Sequence, residues 1–316
     1  MEIAITVLSQ VGIMFLLIAV GIFCYKKGMI NEEVGAKLSE ILLLLVTPAV
    51  IIKAFQIEYN PSLAKGLLSS LLFAFFTHII GIIISVIIIR KDKKSHQYNV
   101  ERFATVYGNA GFMGIPLIYA VLGDKGIFYA SAFLAVFNFF IWTHGVAIIS
   151  GKMSPKELLK VFKSPPIIGI ILGMTMFLTS FKIPNVIGST IGYIADLNTP
   201  LAMIVTGIYI ARSNLLTAFI DKKIYVVSLA RLIIIPSIMI VLFMFISPQG
   251  ENKTIMMANL LATACPTAAT TLLVATKFRV GPEHASKIIA ATTVFSIITL
   301  PIIMGIMDKT MGYFVK

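Results

Sequence analysis

The residues with the clearest chemical potential form the decapeptide Tyr107-Gly108-Asn109-Ala110-Gly111-Phe112-Met113-Gly114-Ile115-Pro116, which lies inside an apolar run long enough to cross a bilayer. A glycine costs a helix interior about 1 kcal/mol and a proline about 3. A stretch with three glycines and a proline is therefore expected to interrupt its helix. Unwound backbone at membrane depth survives only where protein or a water-filled cavity covers it. A second interruption, Ala264-Cys265-Pro266-Thr267-Ala268-Ala269, comes 158 residues later, and at that offset Asn109 falls on Thr267. A helix that restarts at such a break presents unpaired N–H groups and roughly half a positive charge. Two restarts converging on one hollow would favour an anion. Asn109 and Thr267 could add side-chain hydrogen bonds.

Asn109, Ala110, Gly111, Pro116, Cys265, Pro266 and Thr267 are thus the candidate substrate-contacting residues. Each also has a plainer structural role. Asn109 could cap the second half-helix. Gly108, Gly111 and Gly114 could serve close helix packing instead of close ligand approach. Pro116 and Pro266 could free carbonyls toward a cavity or simply kink their helices. Asp196 and Arg231 are candidates for coupling or charge, because ionisable groups within apolar spans are functional by default. Asp196 could take up a proton, hold a cation or pair with a basic residue. Arg231 could snorkel to the surface or grip a carboxylate. Thr47-Pro48 and Thr199-Pro200 are expected to break two further helices. His78 and His144 fit packed, singly hydrogen-bonded roles, and Glu40 and Lys53 fit interfacial ones.

The elements that must position these residues are membrane helices. The 316 residues are 58% hydrophobic and 13% charged, against about 25% charged in ordinary soluble domains. A span needs about 20 apolar residues. Ten are expected, over 5–24, 35–56, 64–89, 101–122, 126–149, 166–181, 186–211, 223–246, 253–276 and 284–306. The first is expected to be retained, since no basic leader region or small-residue cleavage site accompanies it. A basic connector, 151–165, separates residues 1–150 from 166–316, and its Ser154-Pro155-Lys156-Glu157 fits a capped helix on the membrane surface. Alternate loops and the adjoining span ends hold 17 of the 26 lysines and arginines, against seven for the tails and remaining loops. This asymmetry places the basic loops in the cytoplasm and both termini outside, in a multi-pass cell-membrane protein. It also accounts for the net charge of +12 without a nucleic-acid partner.

The two halves look like copies. Val46-Thr47-Pro48-Ala49 resembles Asn198-Thr199-Pro200-Leu201, and the 158-residue offset also carries Gly123 onto Gly281 and Val136-Phe137-Asn138 onto Val294-Phe295-Ser296. A five-span unit crosses an odd number of times, so its copy inserts upside down. That is the inverted-repeat plan of secondary transporters.

These residues carry a family resemblance over nearly the whole chain. The run Gly108 to Pro116, Pro48, Asn198-Thr199-Pro200-Leu201, Arg231-Leu232 through Pro236, and Cys265-Pro266 resemble the auxin efflux carrier family, which includes bacterial malate or malonate permeases. The resemblance implies an all-α membrane protein of ten helices in a 5+5 inverted repeat, with spans 4 and 9 broken and crossing, similar to bile acid–sodium symporters. It also implies an elevator motion and organic carboxylate substrates. The chain departs from the plant carriers in its short central connector and in Gly108-Asn109-Ala110 where they have an Asn-Pro pair. A small prokaryotic carboxylate permease is therefore expected, not an auxin exporter.

No metal-ligand spacing, phosphate-binding loop or hydrolase motif is present, so no cofactor or enzyme activity is expected and uphill transport would use a gradient. An intramembrane enzyme would need paired groups such as two intramembrane aspartates, and only Asp196 qualifies. The expected partners are a small organic anion, the lipid bilayer, a proton or sodium ion for coupling, and a second copy in a homodimer. A sodium-coupled symporter of the same fold and an anion channel are the alternatives.

Overall fold

The structure, a computed structural model, describes residues 2–91, 97–151, 162–213, 215–246 and 250–314. The expected surface helix at Ser154-Pro155-Lys156-Glu157 lies outside the described residues. Those residues are mostly helical, and their one extended pairing is an antiparallel bridge between Gly108 and Thr267.

In chain order the longer helices are α1 (Glu2–Lys26), α2 (Glu32–Ala54), α3 (Pro61–Ile88), α4 (Gln97–Val106), α5 (Ala110–Ser150), α6 (Pro165–Leu178), α7 (Asn185–Arg212), α8 (Lys222–Phe243), α9 (Glu251–Ala264), α10 (Thr270–Phe278) and α11 (Pro282–Phe314), with one helical turn, Leu215–Ala218, between α7 and α8. Among the described residues, seven stretches are long and apolar enough to cross a bilayer; they lie in α1, α2, α3, α5, α7, α8 and α11. The difference from ten has local causes. The expected span 6 is the 14-residue α6. The stretches expected as spans 4 and 9 are divided at their breaks into helices of which α4, α9 and α10 are too short to cross by themselves.

The second half of span 4 and all of span 5 run together as the 41-residue α5. This segment cannot be straight. The Tyr107 hydroxyl donates to the Phe140 carbonyl at 2.8 Å and lies 2.9 Å from His144 Nδ1, whereas a straight helix would separate residues 110 and 140 by roughly 45 Å at 1.5 Å per residue. The reversal is at Gly123, whose φ of +64° and ψ of −158° are non-helical. Arg279 and Gly281, with φ of +56° and +55°, mark the turn between α10 and α11.

Three prolines share one local solution. Wide turns at Leu42–Val46, Ala110–Gly114 and Ala230–Ile234 each end two residues before Pro48, Pro116 or Pro236. A proline ring collides with the carbonyl four residues earlier and offers no N–H to it. Widening the turn moves that carbonyl aside and keeps the rest of the ladder, as where the Thr47 N–H reaches the Leu42 carbonyl. Thr47-Pro48 therefore corrects one expectation: α2 is bulged there, not broken. In α7 the helix pauses at Leu197 and restarts at Asn198, so Thr199 and Pro200 occupy its first turn, where proline is tolerated.

Helix α3 serves as a ruler for height. Near its start Ser70 donates to the Tyr129 carbonyl at 2.7 Å. Further along, His78 stacks on Phe140 with ring centroids 5.2 Å apart and lies 6.2 Å from the Tyr107 ring. Just past its end, the Ile89 carbonyl accepts from Arg102. The stretch around Tyr107 is thus at mid-height, with Gly123 to one side and the start of α4 to the other. Helices α1 and α7 cross in close contact, because a Cβ on Gly21 or Gly207 would meet the backbone of the other helix.

Candidate functional site

The two unwound stretches, 107–109 and 265–269, lie side by side. The Asn109 N–H donates to the Pro266 carbonyl at 2.6 Å, and the Ala268 N–H donates to the Tyr107 carbonyl at 2.9 Å. Each break also orphans carbonyls at the end of the preceding helix, α4 or α9, and one side chain satisfies both sets. Arg231, on the wide turn of α8, donates through Nε to Cys265 O at 3.0 Å and through Nη1 to Thr105 O at 3.3 Å and Val106 O at 3.0 Å. Its Nη2 reaches Thr263 O. Each helix C-terminus carries roughly half a negative charge, so two such ends share one guanidinium. Gly108 makes room for it, since any Cβ there would run into the guanidinium. The expected snorkelling of Arg231 is corrected: the side chain is fully buried and turned to the breaks.

The other sequence candidates divide between this junction and a neighbouring pocket. Asn109 is buried and caps the restart, its Oδ1 accepting from the Phe112 N–H at 3.3 Å. The Thr267 hydroxyl donates to Ala104 O at 3.0 Å, and its N–H donates to Thr292 Oγ1 at 3.2 Å. Ala110, Cys265 and Pro266 are buried at the junction, with the Cys265 thiol 3.2 Å from Leu261 O. Gly114 packs closely, since a Cβ there would stand 3.3 Å from Cys265 Sγ, whereas one on Gly111 would meet open space. His78 is buried and holds Ala74 O at 2.7 Å through Nδ1.

Pro116, Asp196 and Thr199 meet at a pocket of about 120 Å³ between α2, α5 and α7, together with Lys53, Tyr119 and Asn198. One water needs about 10–15 Å³ on this measure, so the space admits a small organic molecule. Lys53 Nζ lies 3.2 Å from Asp196 Oδ1 and 5.7 Å from the centre of the Tyr119 ring. Asp196, expected deep in its span, ends the first part of α7 with its side chain 67% exposed.

Asn198 is the most telling residue here. It is 3% exposed, and neither its Nδ2 nor its Oδ1 has a hydrogen-bond partner. The buried Thr47 hydroxyl on α2 is likewise unpartnered. Each unsatisfied buried polar group costs about 1–3 kcal/mol. In the sequence, Asn198 stands out only through the repeat and the family resemblance, and Lys53 fits an interfacial role. The available signal was an amide directly preceding a Thr-Pro pair within an apolar span. Among the described residues, no group of three or more His, Cys, Asp or Glu gathers as metal ligands.

The charged groups that line the pocket are Lys53, Asp124 and Asp196. Lys53 is paired with Asp196 there, and the buried Asn198 amide brings an unpartnered donor and acceptor to the pocket's edge.

The model of a family described as "Membrane transport protein" matches residues 6–157 and 151–304. An "Uncharacterized transporter" of Methanocaldococcus jannaschii is 25% identical over 306 residues, covering 93% of this chain and 96% of the relative. A second "Uncharacterized transporter", from Methanothermobacter thermautotrophicus, is 23% identical over 94% of this chain and 96% of its own length. A protein of Rhizobium meliloti named "Putative malonate transporter" is 24% identical over 211 residues, 64% of each chain. Two broken helices joined in the core, apolar spans around them and matches over both halves lead to one conclusion: the chain belongs to the membrane transport protein family, which is auxin efflux carrier-like, and it is a transporter and not an enzyme.

Proposed function

We propose that this chain is a secondary transporter of small organic anions, carboxylates first among them, that works by alternating access. Its ten crossings form two inverted five-span units, 1–150 and 166–316, whose broken spans 4 and 9 meet at the junction. The positive φ shared by Gly123 and Gly281 and the family match to residues 6–157 and 151–304 support this repeat. The substrate binds between the junction and the pocket wall formed by α2 and α7, and the junction slides against that wall as an elevator. Alternate basic loops support cytoplasmic placement of those loops and outward termini.

The observation that carries this reading is the unpartnered Asn198 amide beside Lys53 in an open pocket that Ile115 and Pro116 border just after the first break. A carboxylate would take the place of Asp196 at Lys53, in a pocket that Asp124 also borders, and take a hydrogen bond from Asn198. The test is uptake of radiolabelled malonate or malate into vesicles containing the purified protein. Wild type accumulates label, while Lys53→Met and Asn198→Leu lower uptake about tenfold or more, equivalent to losing about 1.4 kcal/mol of binding or transition-state stabilisation. Uptake of a set of mono- and dicarboxylates no greater than by empty vesicles sinks the reading. Flux unchanged by Asn109→Ala would remove Asn109 from the site.

A further inference from the structure

On the other side of the junction from Gly123, a second polar group is buried where α4, α8 and α11 meet. Glu101 on α4 is 4% exposed, the one buried carboxylate among the described residues. His284, in the first turn of α11, is 6% exposed. Its Nε2 lies 3.1 Å from Glu101 Oε1, and its Nδ1 lies 3.7 Å from Asp221 Oδ2. Lys223 Nζ lies 3.7 Å from the same Glu101 oxygen. A neutral imidazole has one N–H, whereas both of these ring nitrogens face carboxylates that accept only. The arrangement suits an imidazolium.

Charge leads to the same conclusion. Only Glu101 and His284 are buried, Asp221 and Lys223 being 35% and 48% exposed, and a proton on His284 brings that buried pair to zero net charge. Burial favours an ion group that sums to zero. Glu101 and Lys223 also border an open cavity edged by Ile88, Arg90 and Lys91, which gives water a path to the group. Arg90 and Lys91 are exposed, so their opposing charge is screened.

The remaining charges on the surrounding elements have other settings. Arg102 on α4 donates to Ile89 O. Lys277 on α10 lies over the Trp142 and Phe278 rings, and Arg231 on α8 is held at the junction. Arg212 on α7 pairs with Glu32 and lines a different cavity with Glu283 and Lys287. Lys222 and Arg279 face outward.

We propose that the proton is the coupling ion and that His284, held between Glu101 and Asp221, binds it. The coupling role rests on the transport reading above; the proton site does not. Glu101 stands about 8 Å along α4 from Val106, at 1.5 Å per residue, and Val106 is tied to Arg231. Lys223 and Arg231 share α8. Adding or removing one charge at His284 therefore acts on the helices that meet at the junction, from the side away from the Lys53 pocket.

The test uses the full chain, with His284→Gln and Glu101→Gln as independent variants. The first reading is malonate uptake into vesicles with and without an imposed pH gradient, in sodium-free buffer. The gradient raises uptake about tenfold in wild type, and that rise is lost in both variants while malonate exchange at equal pH persists. The second reading needs no substrate: the melting temperature in detergent, followed from about pH 5 to 8, where histidine changes charge. Its pH response in wild type is reduced in His284→Gln. An equal pH response in both proteins overturns the proton site. A gradient effect unchanged in both variants, or one supplied by sodium in its place, overturns the coupling role. If no variant and no wild type carries malonate or other carboxylates, the transport reading fails while the melting curves still judge the proton site.

Discussion

At Gly108 a single hydrogen atom decides whether a guanidinium can reach four carbonyls. Gly108→Ala is expected to lower stability by about 1–3 kcal/mol, the range for overpacking, seen as a fall in melting temperature in detergent. Arg231→Met removes the donors from Thr105, Val106, Thr263 and Cys265, and its expected loss is larger. Arg231→Lys restores the charge but not the planar fork, so it should recover only part of that loss. Asn198→Leu has the opposite signature, because it removes buried polar atoms that have no partner. It should hold or raise the melting temperature while lowering carboxylate uptake, and a fall in both would make Asn198 structural. Several residue types announced themselves in the sequence. Asn109 was readable as a cap because an amide beside a helix break has that role available locally. Arg231 was not readable, because its direction depends on carbonyls more than 30 positions away in α9 and over 120 in α4.

Among the elements, prolines and glycines set the punctuation, but with different force. A proline needs only that one carbonyl be moved, and a widened turn does that within a continuous helix. Pro48 therefore bulges α2 where a break was expected. Gly123 is less forgiving, since its backbone region is essentially restricted to glycine and costs other residues about 1–3 kcal/mol. Gly123→Val should lower the melting temperature, while Gly151→Asn, at φ +70° and ψ +2° in the left-handed region that asparagine tolerates, should have little effect. Equal losses would show that the α5 reversal does not depend on Gly123. The interruptions at 107–109 and 265–269 were legible because glycine and proline density is a local property. The short length of α6 and the joining of two spans into α5 were less so, because hydropathy registers where apolar residues are and not where the chain turns.

For the molecule as a whole, the elevator reading requires α5 to move past α2. Cysteines replacing Val50 and Tyr119, in a Cys24→Ser background, would line the same pocket from α2 and α5. A short bifunctional cross-link between them should stop uptake, and reduction of a cleavable linker should restore it. Full uptake by the linked protein would exclude relative motion of these two helices.

The membrane setting, the positions of the two breaks and the membership of a transporter family were all determined by the sequence alone. Hydropathy, glycine and proline act over a few residues, and the motifs lie in continuous runs. Only the tertiary structure decided that Arg231 joins two helix ends, that Asn198 is left without a partner beside Lys53, and that Glu101 meets His284. Each of those outcomes depends on which distant groups share a dry space, and burial, unlike composition, is created only when the helices pack.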